Sequence, residues 1–157
     1  MIKTSNNPNS QPKIHPIKLV HLGTKELSIR ARSAPQIDIG LNVEQCSIVV
    51  GNSEYDKERK RIAVSIKLQA GDKNDSDPYE IKIELIGIFQ IDELTFPLNH
   101  LPDWAKQNAP MILYPYLREH TFALSVRAGF KPLLLPLLEV PTFKLEQKPK
   151  RKKTQPK

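Results

Sequence analysis

The sequence contains little of what most enzymes, metalloproteins and secreted proteins depend on. Among its 157 residues there is one cysteine, Cys46, so no intrachain disulfide can form and nothing indicates an oxidising compartment. The six glycines all stand more than ten residues apart, which excludes the glycine-rich loops that cradle phosphates. The four histidines lack the spacing of metal ligands. We therefore expect no catalytic residues, no metal site and no cofactor.

Long apolar runs are also missing. The most apolar stretch, residues 133–140, is far shorter than the roughly twenty residues that a helix needs to cross a bilayer. The N-terminal stretch MIKTSNNPNSQPK has no apolar core of the kind found in signal peptides. These absences predict a soluble, cytoplasmic protein without membrane insertion.

The positive charge is concentrated at one end of the chain. Residues 144–157 contain seven basic residues and one acidic residue, a net charge of +6, which leaves +1 for residues 1–143. Such a tail can make weak contacts with nucleic acid or the ribosome, or it can steer acidic partners toward the protein. It has no aromatic residue on which bases could stack, so nucleic-acid binding is predicted only as an accessory property.

These features divide the chain into three parts. Residues 1–13 are polar and rich in Asn and Pro, which predicts a flexible arm because they cannot bury enough surface to become ordered. Residues 14–143 carry the apolar periodicity of one folded domain. Residues 144–157 form the basic tail, which is predicted to be disordered.

Within the domain, four stretches alternate between apolar and polar residues as half-buried strands do. They are residues 17–31, 36–50, 61–70 and 79–91. The connections between the later strands are short and rich in turn-forming residues, which favours antiparallel neighbours. The sequence therefore predicts a four-stranded antiparallel sheet.

One long helix follows the strands. Asn108 is a candidate N-cap, Pro110 falls in the first turn, and Gly129 stands where the helix is predicted to end. Pro115 cannot donate a hydrogen bond to the Met111 carbonyl, so a kink or local widening is expected near Tyr114. Four strands followed by a helix predict an α+β domain with the helix on one face of the sheet. Aliphatic residues on the opposite face favour an oligomer.

After the helix comes an apolar segment broken by proline. Pro132, Pro136 and Pro141 lack a donor N–H and push the preceding residues toward extended geometry. The leucines between them are too apolar for an ordinary solvated connection. Two interpretations stay open, a buried crossover segment and one wall of a groove that binds other polypeptides.

Four short segments resemble one known family. Residues 112–119 (ILYPYLRE), 127–130 (RAGF) and 132–136 (PLLLP) are similar to the signature region of the SecB protein-export chaperones, and residues 87–89 (GIF) match the end of a strand in that family. The resemblance implies a homotetramer, assembled as a dimer of dimers, that holds unfolded preproteins in apolar grooves without nucleotide. It also implies the following client-binding residues: Ile81, Ile83, Leu85, Phe89, Tyr114, Phe130, Leu133, Leu135 and Leu137.

The chain departs from the family at its C-terminal end. SecB chaperones usually continue into a second helix and an acidic tail, whereas this chain passes from Pro141 into basic residues, so the second helix is predicted to be absent. Family members deliver clients to the SecA motor partly through an acidic sheet surface, and the near-neutral core here speaks against that partner. The sequence thus predicts a holdase chaperone for unfolded polypeptides. The alternatives are a SecB-like chaperone dedicated to one partner, such as an antitoxin, and a basic-tailed nucleic-acid-binding or ribosome-binding protein.

Overall fold

A computed structural model describes residues 13–139. Its elements are strands β1 (Ile17–Ala31), β2 (Cys46–Asn52), β3 (Arg61–Ala70) and β4 (Tyr79–Ile91), and helices α1 (Leu101–Gln107) and α2 (Ala109–Arg127). The strands form one antiparallel sheet in the order β1-β4-β3-β2. Helix α2 packs against β3 and β4, while α1 contacts β2 and α2. The predicted fold, a four-stranded antiparallel sheet with a long helix on one face, is confirmed.

The second predicted strand is wrong over most of its length. Residues 36–42 form a loop, a short 3-10 helix follows at Val43–Gln45, and β2 begins only at Cys46. Residues 36–43 alternate between apolar and polar but do not pair with a strand, because β3 ends at Ala70, which already pairs with Cys46. Of these apolar residues only Leu41 is buried, and Ile37 is 83% exposed.

The core lies between the sheet and α2. Alternate residues of β3 and β4 point to the helix side, and Leu113 and Leu117 of α2 are fully buried there. Each large apolar side chain buried in this way contributes roughly 1.5–3 kcal/mol. Trp104 of α1 extends the core, since its ring meets that of Phe89 edge to face at a centroid distance of 5.0 Å.

Helix α2 differs from its prediction at its beginning. Asn108 stands before α2 as predicted, but its backbone is helical, its side chain makes no capping hydrogen bond, and its N–H donates to the Trp104 carbonyl. It joins α1 to α2 instead of opening a helix from a loop. The predicted end is confirmed, because α2 ends at Arg127 and Gly129 adopts a positive φ of 83°. The kink near Tyr114 stays a prediction.

Part of the opposite face of the sheet carries paired charges, and Ile86, Ile88 and Val49 lie on the same face. The Lys82 ammonium lies 2.8 Å from the Glu80 carboxylate, and Lys25 lies 3.0 Å from Glu84 on the neighbouring strand. Arg32 reaches Glu80 at 3.6 Å. The hydrogen bond and charge of Lys82 hold the pKa of Glu80 below its usual value. This face is thus a mixture of both signs and not an acidic surface.

The predictions for the chain ends lie outside the described residues. Only residue 13 of the predicted flexible arm is described. The basic tail lies outside 13–139, and so does the segment in which a second helix is predicted to be absent. The division of the chain into an arm, a domain and a tail therefore stays a prediction.

Candidate functional site

The segment after α2, residues 131–139, runs extended and returns along the helix; we call it the leucine–proline strap. Three side chains of α2 hold its backbone. The hydrogen bonds join the Leu133 N–H to Ser125 Oγ (2.9 Å), Arg118 Nε to the Leu135 carbonyl (2.9 Å), and the Tyr114 hydroxyl to the Pro136 carbonyl (2.6 Å). Because successive strap residues bond to successively earlier turns of α2, the strap lies antiparallel to the helix axis. Its position is therefore fixed by backbone contacts and does not depend on its outward side chains.

The leucines of the strap separate into an inner and an outer set. Leu133 and Leu135 are buried against the core, as is Phe130 just before the strap. Leu134, Leu137 and Leu138 are 59%, 82% and 45% exposed. The strap therefore buries one row of apolar side chains and presents the other to solvent.

The nine predicted client-binding residues do not share one surface. Ile81, Ile83, Leu85 and Phe89 lie fully buried on β4 beneath α2, where a bound polypeptide could touch them only if the helix moved away. Tyr114, Phe130, Leu133 and Leu135 are also buried and support the strap. Leu137 is the one of the nine that is exposed.

Sequence reasoning missed a second exposed apolar row, on strand β2. Ile48 and Val50 pair with Leu68 and Ile66 of β3, which places them on the helix side of the sheet. They are nevertheless 40% exposed each, because α2 packs over β3 and β4 and leaves the β2 edge open. Their alternation was visible in the sequence, but their exposure depends on where the helix lies.

Tyr114 of α2 lies where the strap passes along the helix. Burial raises the pKa of its hydroxyl, and the positive charge of Arg118 lowers it in part. The same hydroxyl donates to the Pro136 carbonyl and so helps to hold the strap. We call the exposed apolar residues of the strap and of the helix side of β2 the apolar groove: Leu134, Leu137, Leu138, Ile48 and Val50.

The start of the strap is fixed by a separate cluster. The rings of Tyr79 and Phe130 are tilted against each other with their centroids 4.8 Å apart. The Lys131 N–H donates to the Ile39 carbonyl at 2.8 Å, which ties the strap to the loop before β2. Burial raises the pKa of the Tyr79 hydroxyl, so it stays neutral. The strap is thus held at its start by aromatic packing and along its length by α2.

Comparison with known proteins decides the family. Residues 10–145 match the family described as preprotein translocase subunit SecB. The chain belongs to the SecB family. Its sequence is 34% identical over 109 residues to the protein-export protein SecB of Acidithiobacillus ferrooxidans, covering 69% of this chain and 68% of that protein. Identity to the SecB of an Azoarcus species is 28% over 130 residues, covering 81% and 82% of the two chains.

A solved structure shows the same fold. The SecB-like chaperone of Mycobacterium tuberculosis, in complex with a ChAD peptide from an antitoxin, superposes with a TM-score of 0.58 at 19% identity, covering 81% of this chain and 94% of that one. The predicted family and fold are confirmed. Membership of the SecB family likewise supports the predicted function of a chaperone in protein export.

The described residues of this SecB-family chain include few groups suited to metal binding or catalysis. Within residues 13–139 no cluster of three or more His, Cys, Asp or Glu side chains could hold a metal ion. Burial raises the pKa of the Cys46 thiol, which keeps it protonated and a poor nucleophile. In the same part of the chain no helix is both long and apolar enough to cross a membrane.

Replacing Ser125 by alanine is expected to lower the free energy of unfolding by about 1–3 kcal/mol, because the buried Leu133 N–H loses its acceptor. Urea unfolding measures this change. The control Ser28→Ala, at an exposed position of β1, should alter the free energy of unfolding by less than about 0.5 kcal/mol. Equal stability of the two variants would show that Ser125 does not hold the strap.

Proposed function

We propose that this SecB-family chain is a nucleotide-independent holdase without enzymatic activity. It binds unfolded or preprotein polypeptides on the apolar groove and keeps them competent for export or assembly. The observation that carries this proposal is the strap, whose backbone is fixed by α2 while Leu134, Leu137 and Leu138 stay exposed. A fixed segment that presents several large apolar side chains is typical of an interaction surface.

The strength of binding follows from apolar burial. Each client side chain that is fully buried on the groove gains roughly 1.5–3 kcal/mol before entropic costs. Several such contacts on one unfolded chain reinforce each other, because the first contact raises the effective concentration of the next. The five residues of the groove carry no charge, so the groove selects clients by their apolar content and not by a particular sequence.

We also propose that the chain acts in the cytoplasm as a homo-oligomer, a tetramer built as a dimer of dimers. The outer face of α2 supports this proposal, since Ile112, Tyr116, Phe122 and Val126 are exposed along it. A second copy packed there would remove these residues from water. The mixed charges of Glu80, Lys82 and their neighbours provide no acidic surface, which argues against SecA as a partner.

A chaperone dedicated to one partner is the second candidate. The observation in its favour is the structure with a similar fold, whose chaperone carries a peptide from an antitoxin. A dedicated chaperone would bind one segment of one protein tightly and leave unrelated unfolded chains unprotected. A general holdase would protect several unrelated chains at similar concentrations.

Light scattering tests the holdase proposal. Chemically unfolded, aggregation-prone proteins of unrelated sequence are diluted into buffer with a stoichiometric amount of this protein, without nucleotide. The holdase proposal expects scattering to fall for every client tested. Protection of antitoxins alone would favour the dedicated chaperone. Unchanged scattering with all unrelated clients would overturn the general holdase.

Deletion of residues 144–157 is expected to abolish any binding of single-stranded RNA and to leave client binding intact. The tail carries a net charge of +6, so an RNA contact through it should weaken with salt at a log–log slope near −4 (about −0.7 per neutralised phosphate). Filter binding across a salt series measures the slope. Loss of client binding on deletion would instead assign the tail to the capture of acidic clients.

A further inference from the structure

An apolar depression lies where the loop after β2 faces the beginning of α1. It encloses about 620 Å³, a volume that suits apolar ligands. Ile62 and Leu101 line it and are buried, so they form an apolar floor. Leu98 stands at its side and is 40% exposed. The depression therefore offers apolar surface that a large side chain can cover.

The loop that walls this depression is held in place. The Tyr55 hydroxyl donates to the Glu93 carboxylate at 2.6 Å, and Lys60 lies 3.5 Å from the same carboxylate. Burial, followed by the hydrogen bond to Glu93, raises the pKa of Tyr55 to about 12, so the hydroxyl keeps its proton and remains a donor. The backbones of Asp56 and Arg61 exchange two hydrogen bonds that close the loop. A side chain that docks here therefore meets a wall that is already formed.

The strap leads toward this depression. Its bonds to Ser125, Arg118 and Tyr114 carry it toward the N-terminal end of α2, and α1 directly precedes that end. The rise from Asn108 to Tyr114 is about 9 Å at 1.5 Å per residue of helix. The extended residues 137–139 cover about 10 Å beyond the bond to Tyr114. The last described residue of the strap is therefore level with the junction between α1 and α2.

The next four residues are long enough to reach the depression. From that junction to the beginning of α1 the distance is about 10 Å along the helix, and residues 140–143 span about 13 Å when extended. Pro141 cannot join a helix hydrogen bond and keeps Val140 extended. The segment ends at Phe143, the last aromatic residue of the chain. A large apolar side chain thus stands at the distance that the depression requires.

We propose that residues 140–143 fold back along α1 and that the Phe143 side chain closes the depression when no client is bound. The proposal rests on the proposed function, because it makes the C-terminal segment a competitor of the client for apolar surface. The match to the SecB family covers residues 10–145 and so includes the whole segment. A tethered side chain acts at a high effective concentration, so a single phenylalanine suffices. The apparent affinity for clients falls by the fraction of molecules in which the depression is open.

Disulfide cross-linking tests the position of the segment without any client. The variants Leu98→Cys and Phe143→Cys are combined in a chain that also carries Cys46→Ser, which removes the one native thiol. A disulfide requires Cβ atoms within about 4.5 Å, so we expect an intrachain disulfide to form about tenfold faster than in the control pair Leu94→Cys with Phe143→Cys. Leu94 is 96% exposed and lies before the same helix. Equal rates for the two pairs, or disulfides between chains alone, would overturn the proposal.

Client affinity tests the competition. We expect Phe143→Ser to bind a labelled unfolded polypeptide about fivefold more tightly than the native protein, because the tethered competitor is lost. Leu145→Ser is the matched control, since it removes a large apolar side chain just beyond the segment and should leave the affinity unchanged. An unchanged affinity in Phe143→Ser would overturn the competition. If neither form binds any client, the proposed function falls, while the disulfide rates, which need no client, still support or overturn the closed depression.

Discussion

Replacing Leu134, Leu137 and Leu138 together by serine is expected to weaken the binding of unfolded polypeptides by roughly 100-fold. The three side chains are between about half and four fifths exposed, so each can gain about 1 kcal/mol when a client covers it. A total of about 3 kcal/mol corresponds to roughly two powers of ten in affinity. The prolines and the hydrogen bonds from α2 are unchanged, so the strap should keep its course.

The affinity of a labelled unfolded polypeptide measures this effect, and urea unfolding of the same variant checks its stability. The control is Leu94→Ser, at an exposed position outside the apolar groove. We expect the triple variant and the control to unfold at similar urea concentrations. An unchanged affinity in the triple variant would show that clients bind elsewhere on the protein.

Replacing Gly71 by alanine is expected to lower the free energy of unfolding by about 3 kcal/mol or more. Gly71 follows β3 with a φ of 71°, a conformation that residues with a side chain rarely adopt. A Cβ atom there would collide with the carbonyl oxygen of Tyr79, which is backbone and cannot rotate away. Backbone strain and overpacking each cost about 1–3 kcal/mol. Because Tyr79 packs on Phe130, the start of the strap should move as well.

Thermal unfolding measures this loss, and the midpoint should fall by roughly 6–12 °C for a chain of this length. Gly51→Ala is the matched control within the same sheet, because a Cβ there approaches only the Ser65 hydroxyl, at 3.2 Å. The control should stay close to the native midpoint. Similar midpoints for the two variants would contradict the structure at the β3–β4 turn. Unlike the strap variant, Gly71→Ala should lose stability and client binding together.

The sequence correctly predicted the strands whose residues pair with a neighbouring strand. The bounds predicted for β1, β3 and β4 agree with the structure. In β3 and β4 the alternation continues for as long as the strand has a partner, whereas the pairing of β1 with β4 contains two register shifts. The prediction for 36–50 failed because alternation is a local property and pairing is not. Leu41 is drawn into the core by tertiary packing while its neighbours in the loop stay outside the sheet.

The sequence indicated which segment of the chain forms the candidate site but not which of its side chains are exposed. Composition marked the leucine–proline segment, and the resemblance added residues of β4. Which leucines face outward is decided by the bonds from Tyr114, Arg118 and Ser125, and these are contacts between residues distant in the sequence. The exposure of Ile48 likewise depends on the placement of α2. Helix α1 escaped prediction because it has only seven residues and includes Pro102.

Isothermal titration calorimetry of the native protein with an unfolded polypeptide, repeated at several temperatures, tests the central claim most directly. Burial of apolar surface gives a negative heat-capacity change of binding, whereas contacts between charges do not give that signature and weaken as salt rises. The account predicts a clearly negative heat-capacity change and an affinity that persists at 0.5 M salt (about 4 Å Debye length). A heat-capacity change near zero, with binding that disappears at high salt, would contradict the apolar groove as the client-binding site.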